Sequence, residues 1–484
     1  VITKDTLFIG GEWVKPSGTG TIEVISPTTE EVFARVPDGT AADIDRAVAA
    51  ARDAFDNGPW PRMSPVERAD VMAALSQQIQ GRMQEFADVI TDENGCPVSW
   101  GVMGQVFAST MALDFFESHV RTMNFEEERP GLMGPAIVRK EPVGVVGAIV
   151  PWNVPLFVTM LKLAPALAAG CTVVLKPAPE TPLDAYMLAE ALTAAGLPKG
   201  VVNIVAAGRE AGEHLVTHPD VDKISFTGST VAGRRIAALC GERLRRVTLE
   251  LGGKSAAIIL DDADIAATIP GLVPAGMMNN GQACVAQTRI LASRSKYDEV
   301  VEAMVEAVKA LKVGDPRAAE TEIGPLVAQR QRDRVMSYIE HGQKEGAKVA
   351  TGGGAPAGID KGWFVEPTVF VNVDNKMKIA QEEIFGPVVA VIPYDTVEDA
   401  IAIANDSEYG LSGSVWSGDA SHALDIARQI RTGTMSINGF ILDFNCPFGG
   451  FKSSGLGREL GAEGLNAYLE MKTISFPGAS ALPS

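Results

Sequence analysis

Short apolar and β-branched runs at residues 7–14, 21–25 and 31–36 predict strands at the start of the chain. A helix is expected after Thr40. A second is expected at Ser64-Pro65-Val66-Glu67, where a Ser N-cap, a Pro in the first turn and a Glu three residues on combine. From Val143 the pattern changes. Apolar runs without strict alternation occur at 145–150, 172–175, 202–205, 224–226 and 256–260, with helical spacing between them at 156–169, 183–194 and 231–239. Continuous apolar strands separated by helices predict a parallel sheet covered on both faces. The alternation begins afresh after about Leu251, through 264–278, 296–311, 328–345, 388–392 and 396–404. The expected fold is α/β with two doubly wound units. Strand-like pieces at 136–140 and 473–476 are left without an evident place in either.

Charge narrows the partners. The 484 residues carry 42 Lys and Arg against 60 Asp and Glu, a formal net charge of −18. That balance opposes nucleic acid or an anionic membrane as the main partner. Five cysteines, odd in number and widely spaced, indicate neither a disulfide framework nor a zinc knuckle. The histidines lack metal-ligand spacing, so no metal is expected. Residues 143–161 run without a charge for about the length of a membrane span. Pro151, Asn153 and Pro155 interrupt them, however, so they read as a buried strand, a turn and a helix start. The chain opens without a basic segment followed by an apolar one, and a cytoplasmic protein is expected.

Several segments invite chemistry, each with a plainer alternative. Phe226-Thr227-Gly228-Ser229-Thr230 combines a strand end, a Gly-Ser turn and a helix start; it is either an anion site or an ordinary βα turn. Gly252-Gly253-Lys254-Ser255 is not a phosphate loop, because Thr248 stands where the first Gly is needed. Cys284, after Gly281-Gln282-Ala283, is a nucleophile or a small buried hydrophobe. Glu250 ends an apolar strand, where burial would raise its pKa and suit it to general-base work; otherwise it is a charge facing water. Asn153 aims an amide at an oxyanion or caps a turn.

Taken together, Pro151-Trp152-Asn153, Lys176-Pro177, Phe226-Thr227-Gly228-Ser229, Glu250-Leu251-Gly252-Gly253-Lys254 and Gly281-Gln282-Ala283-Cys284 resemble the aldehyde dehydrogenase superfamily. Glu382-Glu383-Ile384-Phe385-Gly386-Pro387 and Pro447-Phe448-Gly449-Gly450-Phe451-Lys452 continue the match in order, and the resemblance runs from Leu7 to Thr473. It implies an enzyme that oxidises an aldehyde to the acid with NAD, NADP being a possible substitute. Cys284 would attack the carbonyl, Asn153 and the Cys284 N–H would hold the oxyanion, and Glu250 would activate water against the thioester. Lys162 and Glu459 match positions that support the thiol or relay protons. Ile149, Pro151, Trp152, Lys176, Gly208, Gly212, Phe226, Ser229, Leu251, Gly252, Glu383 and Phe385 match cofactor-binding positions.

The resemblance also implies a division of the chain. Residues 1–121 and 143–251 would bind the cofactor, 252–465 would carry the catalytic cysteine, and 122–142 with 466–484 would bridge subunits of a homodimer or homotetramer. Val154, Val158, Leu161, Met278, Ala283, Val285, Phe440 and Leu442 match the substrate tunnel. None is charged and none offers a hydroxyl, so a neutral, apolar aldehyde (aliphatic, terpenoid or aromatic) is expected. One departure concerns the cofactor. Relatives that prefer NAD often carry Glu three residues after the ribose lysine, and here Pro179 occupies that position. Two rivals remain: an acylating enzyme using coenzyme A, which Glu250 disfavours, and a silent relative, which the intact Asn153, Glu250 and Cys284 disfavour.

Overall fold

The computed structural model describes residues 1–478. Its first large sheet has eight strands, in the order Gly455–Leu456, Arg246–Glu250, Lys223–Thr227, Val145–Ile149, Thr172–Lys176, Val202–Ile204, Leu7–Ile9 and Glu12–Val14. The strands from Arg246–Glu250 to Val202–Ile204 are parallel. Their apolar runs lack alternation because both faces are covered. Val146, Ala148, Val173 and Leu175 point into a core with the helices Pro65–Gly81, Ala108–Thr122 and Pro155–Ala169. Val145, Ile149 and Val174 point the other way, against Ala41–Asp56, Arg209–Thr217 and Thr230–Glu242.

The uncharged stretch resolves into the strand Val145–Ile149, a turn, and the helix Pro155–Ala169, every residue of which is buried. Among the described residues no helix is long and apolar enough to cross a membrane. The predicted capping box forms: Glu67 N–H donates to Ser64 Oγ (3.2 Å) and Ser64 N–H to Glu67 Oε2 (2.7 Å).

A second sheet has seven strands, in the order Lys348–Thr351, Thr368–Val371, Val388–Tyr394, Arg289–Ser293, Ala256–Ile259, Gly413–Trp416 and Ser436–Ile437. It is parallel except at its first pair. Helices on both faces bury it, so this unit too is doubly wound.

The strand-like leftovers form a small sheet outside both units, as expected: Leu469–Ser475 pairs antiparallel with Ala136–Pro142, which pairs with Glu126–Arg129. The structure departs from the sequence reading in two places. Gly455–Leu456, from the predicted second unit, adds an antiparallel edge to the first sheet beside Leu249 and Glu250. Two residues are too few to show a period. Finally, 83–122 is helical throughout much of its length, with a π-helical turn at Gly101–Phe107 whose wider repeat blurs the 3.6-residue signal.

Candidate active site

Beyond the helix Ile265–Met277 the chain enters a turn in which Asn279, Asn280 and Gly281 all have left-handed φ (53°, 60° and 72°). Left-handed backbone at two successive non-Gly residues is strained and needs support. Asn280 supplies some: its amide donates to Gly95 O and Pro325 O (both 2.9 Å), and its carbonyl accepts from Gly324 N–H (2.7 Å). The turn delivers Cys284 to the wall of a cavity of about 530 Å³. Cys96, Cys171 and Cys240 are buried, and Cys446 is exposed at the surface. Burial, then the carboxylates of Glu383 and Glu250, push the Cys284 thiol up to about 12.

Glu250 ends its strand on the same cavity. It is buried, and neither carboxylate oxygen has a hydrogen-bond partner. Desolvation and the neighbouring Glu459 hold its pKa well above the usual carboxylate range, against the pull of Lys162 and Arg458. Asn153 faces the cavity too, its amide donating to Gln282 O at 2.8 Å. Glu459 lines the cavity, and Lys162 stands behind it, donating to Glu459 Oε1 (2.5 Å) and Thr227 Oγ1 (2.7 Å).

All eight expected tunnel residues, Val154 to Leu442, line this cavity. So do Pro151, Trp152, Ser229, Leu251, Gly252, Glu383 and Phe385 of the cofactor set. Trp152 and Phe385 meet edge to face at 5.4 Å, and Phe385 holds a left-handed φ of 64°, unusual for a bulky residue. Glu383 Oε1 accepts from Gly253 N–H at 3.0 Å, and burial pushes its carboxyl up to about 7. A Cβ at position 252 would sit 2.6 Å from Glu383 Oε2, so a side chain there would displace the Glu383 carboxylate.

A second cavity, about 410 Å³, is lined by Ile149, Lys176, Gly212, Phe226 and Ser229. Ser229 belongs to both cavities and caps the helix Thr230–Glu242, accepting from Ala232 N–H at 3.3 Å. A strand end, a Gly-Ser turn and a helix N-terminus thus face two neighbouring cavities that share Ser229, as a dinucleotide requires. Gly208 lines neither cavity. It caps the helix Arg209–Thr217, and its N–H donates to Asp38 at 3.1 Å.

The aldehyde dehydrogenase family model matches residues 13–474. The chain belongs to the aldehyde dehydrogenase family. It is 48% identical to a geranial dehydrogenase of Castellaniella defragrans, covering 99% of this chain and 100% of the relative. An aldehyde dehydrogenase of Mycobacterium tuberculosis complexed with NAD+ has a TM-score of 0.98 at 52% identity, over 100% of both chains. A mutant of aldehyde dehydrogenase C from Pseudomonas syringae, complexed with NAD+ and octanal, has a TM-score of 0.96 at 42% identity, over 99% and 98%.

The aldehyde dehydrogenase site also contains residues that motif reading missed. Trp100, Gly104 and Ala108 line the large cavity from the short helix Val98–Trp100, the π-helical turn and the helix after it, and Phe157 and Phe444 complete its aromatic wall. Arg209 lines the second cavity beside Lys176. None of these carries a local signature. Trp100 and Gly104, four residues apart, face the same wall of the cavity.

Proposed function

We propose that the protein oxidises a neutral, apolar aldehyde to its carboxylic acid with NAD, by way of a thioester on Cys284. One observation carries this reading: in a chain of this family, Cys284, Glu250 and Asn153 share one cavity with an apolar wall that includes Val154, Phe157, Val158, Leu161, Phe440 and Phe444. The dinucleotide would lie across the two cavities that share Ser229. Lys176 and Ser229 would hold its adenosine and pyrophosphate, and Glu383 and Phe385 its nicotinamide half. When bound, it supplies the hydride acceptor.

The chain's own residues do the rest. Cys284 Sγ, once deprotonated, attacks the aldehyde carbon to give a thiohemiacetal. The second N–H of the Asn153 amide and the Cys284 backbone N–H stabilise the oxygen as charge develops on it; one such donor is worth about 10²–10³ in turnover. After oxidation to the thioester, Glu250 takes a proton from water, which adds to the acyl carbon and releases the acid and the thiol. Glu250 has no partner to break before it does so. Glu459, hydrogen-bonded to Lys162, would pass that proton on.

The apolar wall favours aliphatic or terpenoid aldehydes. Relatives named for geranial and bound to octanal fit this class. Residues 1–121 and 143–251 are assigned to the cofactor and 252–465 to catalysis. The segments 122–142 and 466–484 are assigned to assembly of a homodimer or homotetramer; residues 479–484 of the latter lie outside the described residues. Absorbance at 340 nm over a panel of aldehydes, with either cofactor and with or without coenzyme A, tests the reading. We expect turnover with octanal and geranial and no stimulation by coenzyme A. Activity confined to charged aldehydes, or dependent on coenzyme A, would contradict it.

A further inference from the structure

The Asn153 backbone carbonyl is crowded. It accepts from three buried side-chain amides: Asn94 Nδ2 at 3.0 Å, Gln105 Nε2 at 3.1 Å and Asn279 Nδ2 at 2.9 Å. A carbonyl oxygen has two lone pairs, so three donors exceed what satisfaction of that group requires. Two of the donors give something up to be there. Gln105 Oε1 and Asn279 Oδ1 are buried without partners. Buried polar atoms left unpaired cost stability, and folding alone offers no reason to keep two of them at one carbonyl.

The donors come from separate elements: the last residue of the helix Met83–Asn94, the π-helical turn Gly101–Phe107, and the strained turn before Cys284. Asn279 does more than donate once. Its Nδ2 also reaches Gln282 O at 3.1 Å, the same carbonyl that accepts from Asn153 Nδ2 at 2.8 Å. A closed ring results, running from Asn153 O through the Asn279 amide to Gln282 O and back through the Asn153 side chain. It ties the backbone and the amide of Asn153 to the loop that carries the nucleophile. One Asn153 N–H is committed to Gln282, and the other is fixed in direction by that commitment.

We infer that Asn94, Gln105 and Asn279 are positioning residues that lock the Asn153 amide onto the Cys284 loop in the geometry an oxyanion needs. This rests on the oxyanion role proposed above for Asn153. Displacing a donor by about 1 Å can cost on the order of 10²-fold in rate, so three anchors on one carbonyl have a catalytic use.

A double-mutant cycle tests it. Gln105→Met removes one anchor at similar length. We expect kcat to fall about tenfold, while the octanal KM and NAD affinity stay within about twofold. In an Asn153→Ala background the side-chain amide is gone, and Gln105→Met should then change kcat by less than about twofold. Equal fractional losses in both backgrounds, or no loss in the Asn153 enzyme, would overturn the inference. Asn94→Asp carries the same cycle should Gln105→Met fail to fold. It keeps an acceptor for Cys96 N–H (2.9 Å) and replaces the donor to Asn153 O with a carboxyl oxygen. Wild-type turnover in Asn153→Ala alone would remove the oxyanion role itself, a different failure from additivity in the cycle.

Discussion

Lys162 donates to Glu459 across 2.5 Å, and both side chains are almost wholly withdrawn from water. The pair sets the electrostatics of Glu250 from behind. Glu459 adds to the desolvation that keeps Glu250 protonated above the usual range, and Lys162 opposes it. A base prepared in this way gains strength as the pH rises and stays largely inert in acid.

The Cys284 thiol provides a first check. With burial and two carboxylates holding it up to about 12, it is thiolate only in trace amounts at neutral pH. Alkylation of the cofactor-free enzyme at Cys284, followed by peptide mass mapping, should therefore rise about tenfold per pH unit without a plateau through pH 9. Glu383→Gln removes one of the opposing charges and should speed it at pH 9. A plateau near pH 7 would contradict this electrostatic picture.

Tunnel shape is the second. A Cβ at Gly104 would lie 2.5 Å from Trp100 Cε2, so in Gly104→Ala the indole must shift, and both residues face the cavity. The ratio of kcat/KM for decanal over butanal should fall about tenfold, and Trp100→Ala should raise it. An unchanged ratio in both variants would show that this wall does not touch the substrate.

Cofactor choice is the third. Pro179 offers no carboxylate to a 2′-hydroxyl. Glu180 next door is engaged in an ion pair with Arg330. Losing a bond to a charged group costs about 1.5–3 kcal/mol, one to two decades in affinity, while repulsion of a 2′-phosphate is also lost. NAD should be preferred with measurable NADP turnover, and Pro179→Glu should suppress NADP use alone. Burial lowers the Lys176 pKa to about 8, so its positive charge fades above that pH. NADP use relative to NAD should accordingly decline between pH 7 and 9. Complete rejection of NADP by wild type would contradict this reading of Pro179.

Much of the site was legible because its chemistry sits at ends of strongly patterned elements. Glu250 closes an apolar strand and Ser229 opens a helix, and both lie where the pattern put them. What stayed hidden depends on geometry without a period. The π-turn that presents Gly104 and Gln105, and the left-handed turn at Asn279 and Asn280, follow no helical or strand repeat. Gly208, a motif position, donates its N–H to Asp38.

Assembly is the fourth. The strand Leu469–Ser475 is exposed along almost its whole length, and Met471 is 76% accessible. An edge of this kind invites pairing with another copy. Light scattering at micromolar concentration should give at least a dimer, and a monomeric mass would exclude the assembly proposed for these segments.

The most direct test of the thioester mechanism is to trap it. Glu250→Gln should give a burst of reduced cofactor with octanal and then slow turnover, as acyl-enzyme accumulates. Acid quench after the burst, followed by mass spectrometry, should find an octanoyl adduct on the peptide carrying Cys284. A burst without an adduct, an adduct on another residue, or wild-type turnover would contradict it.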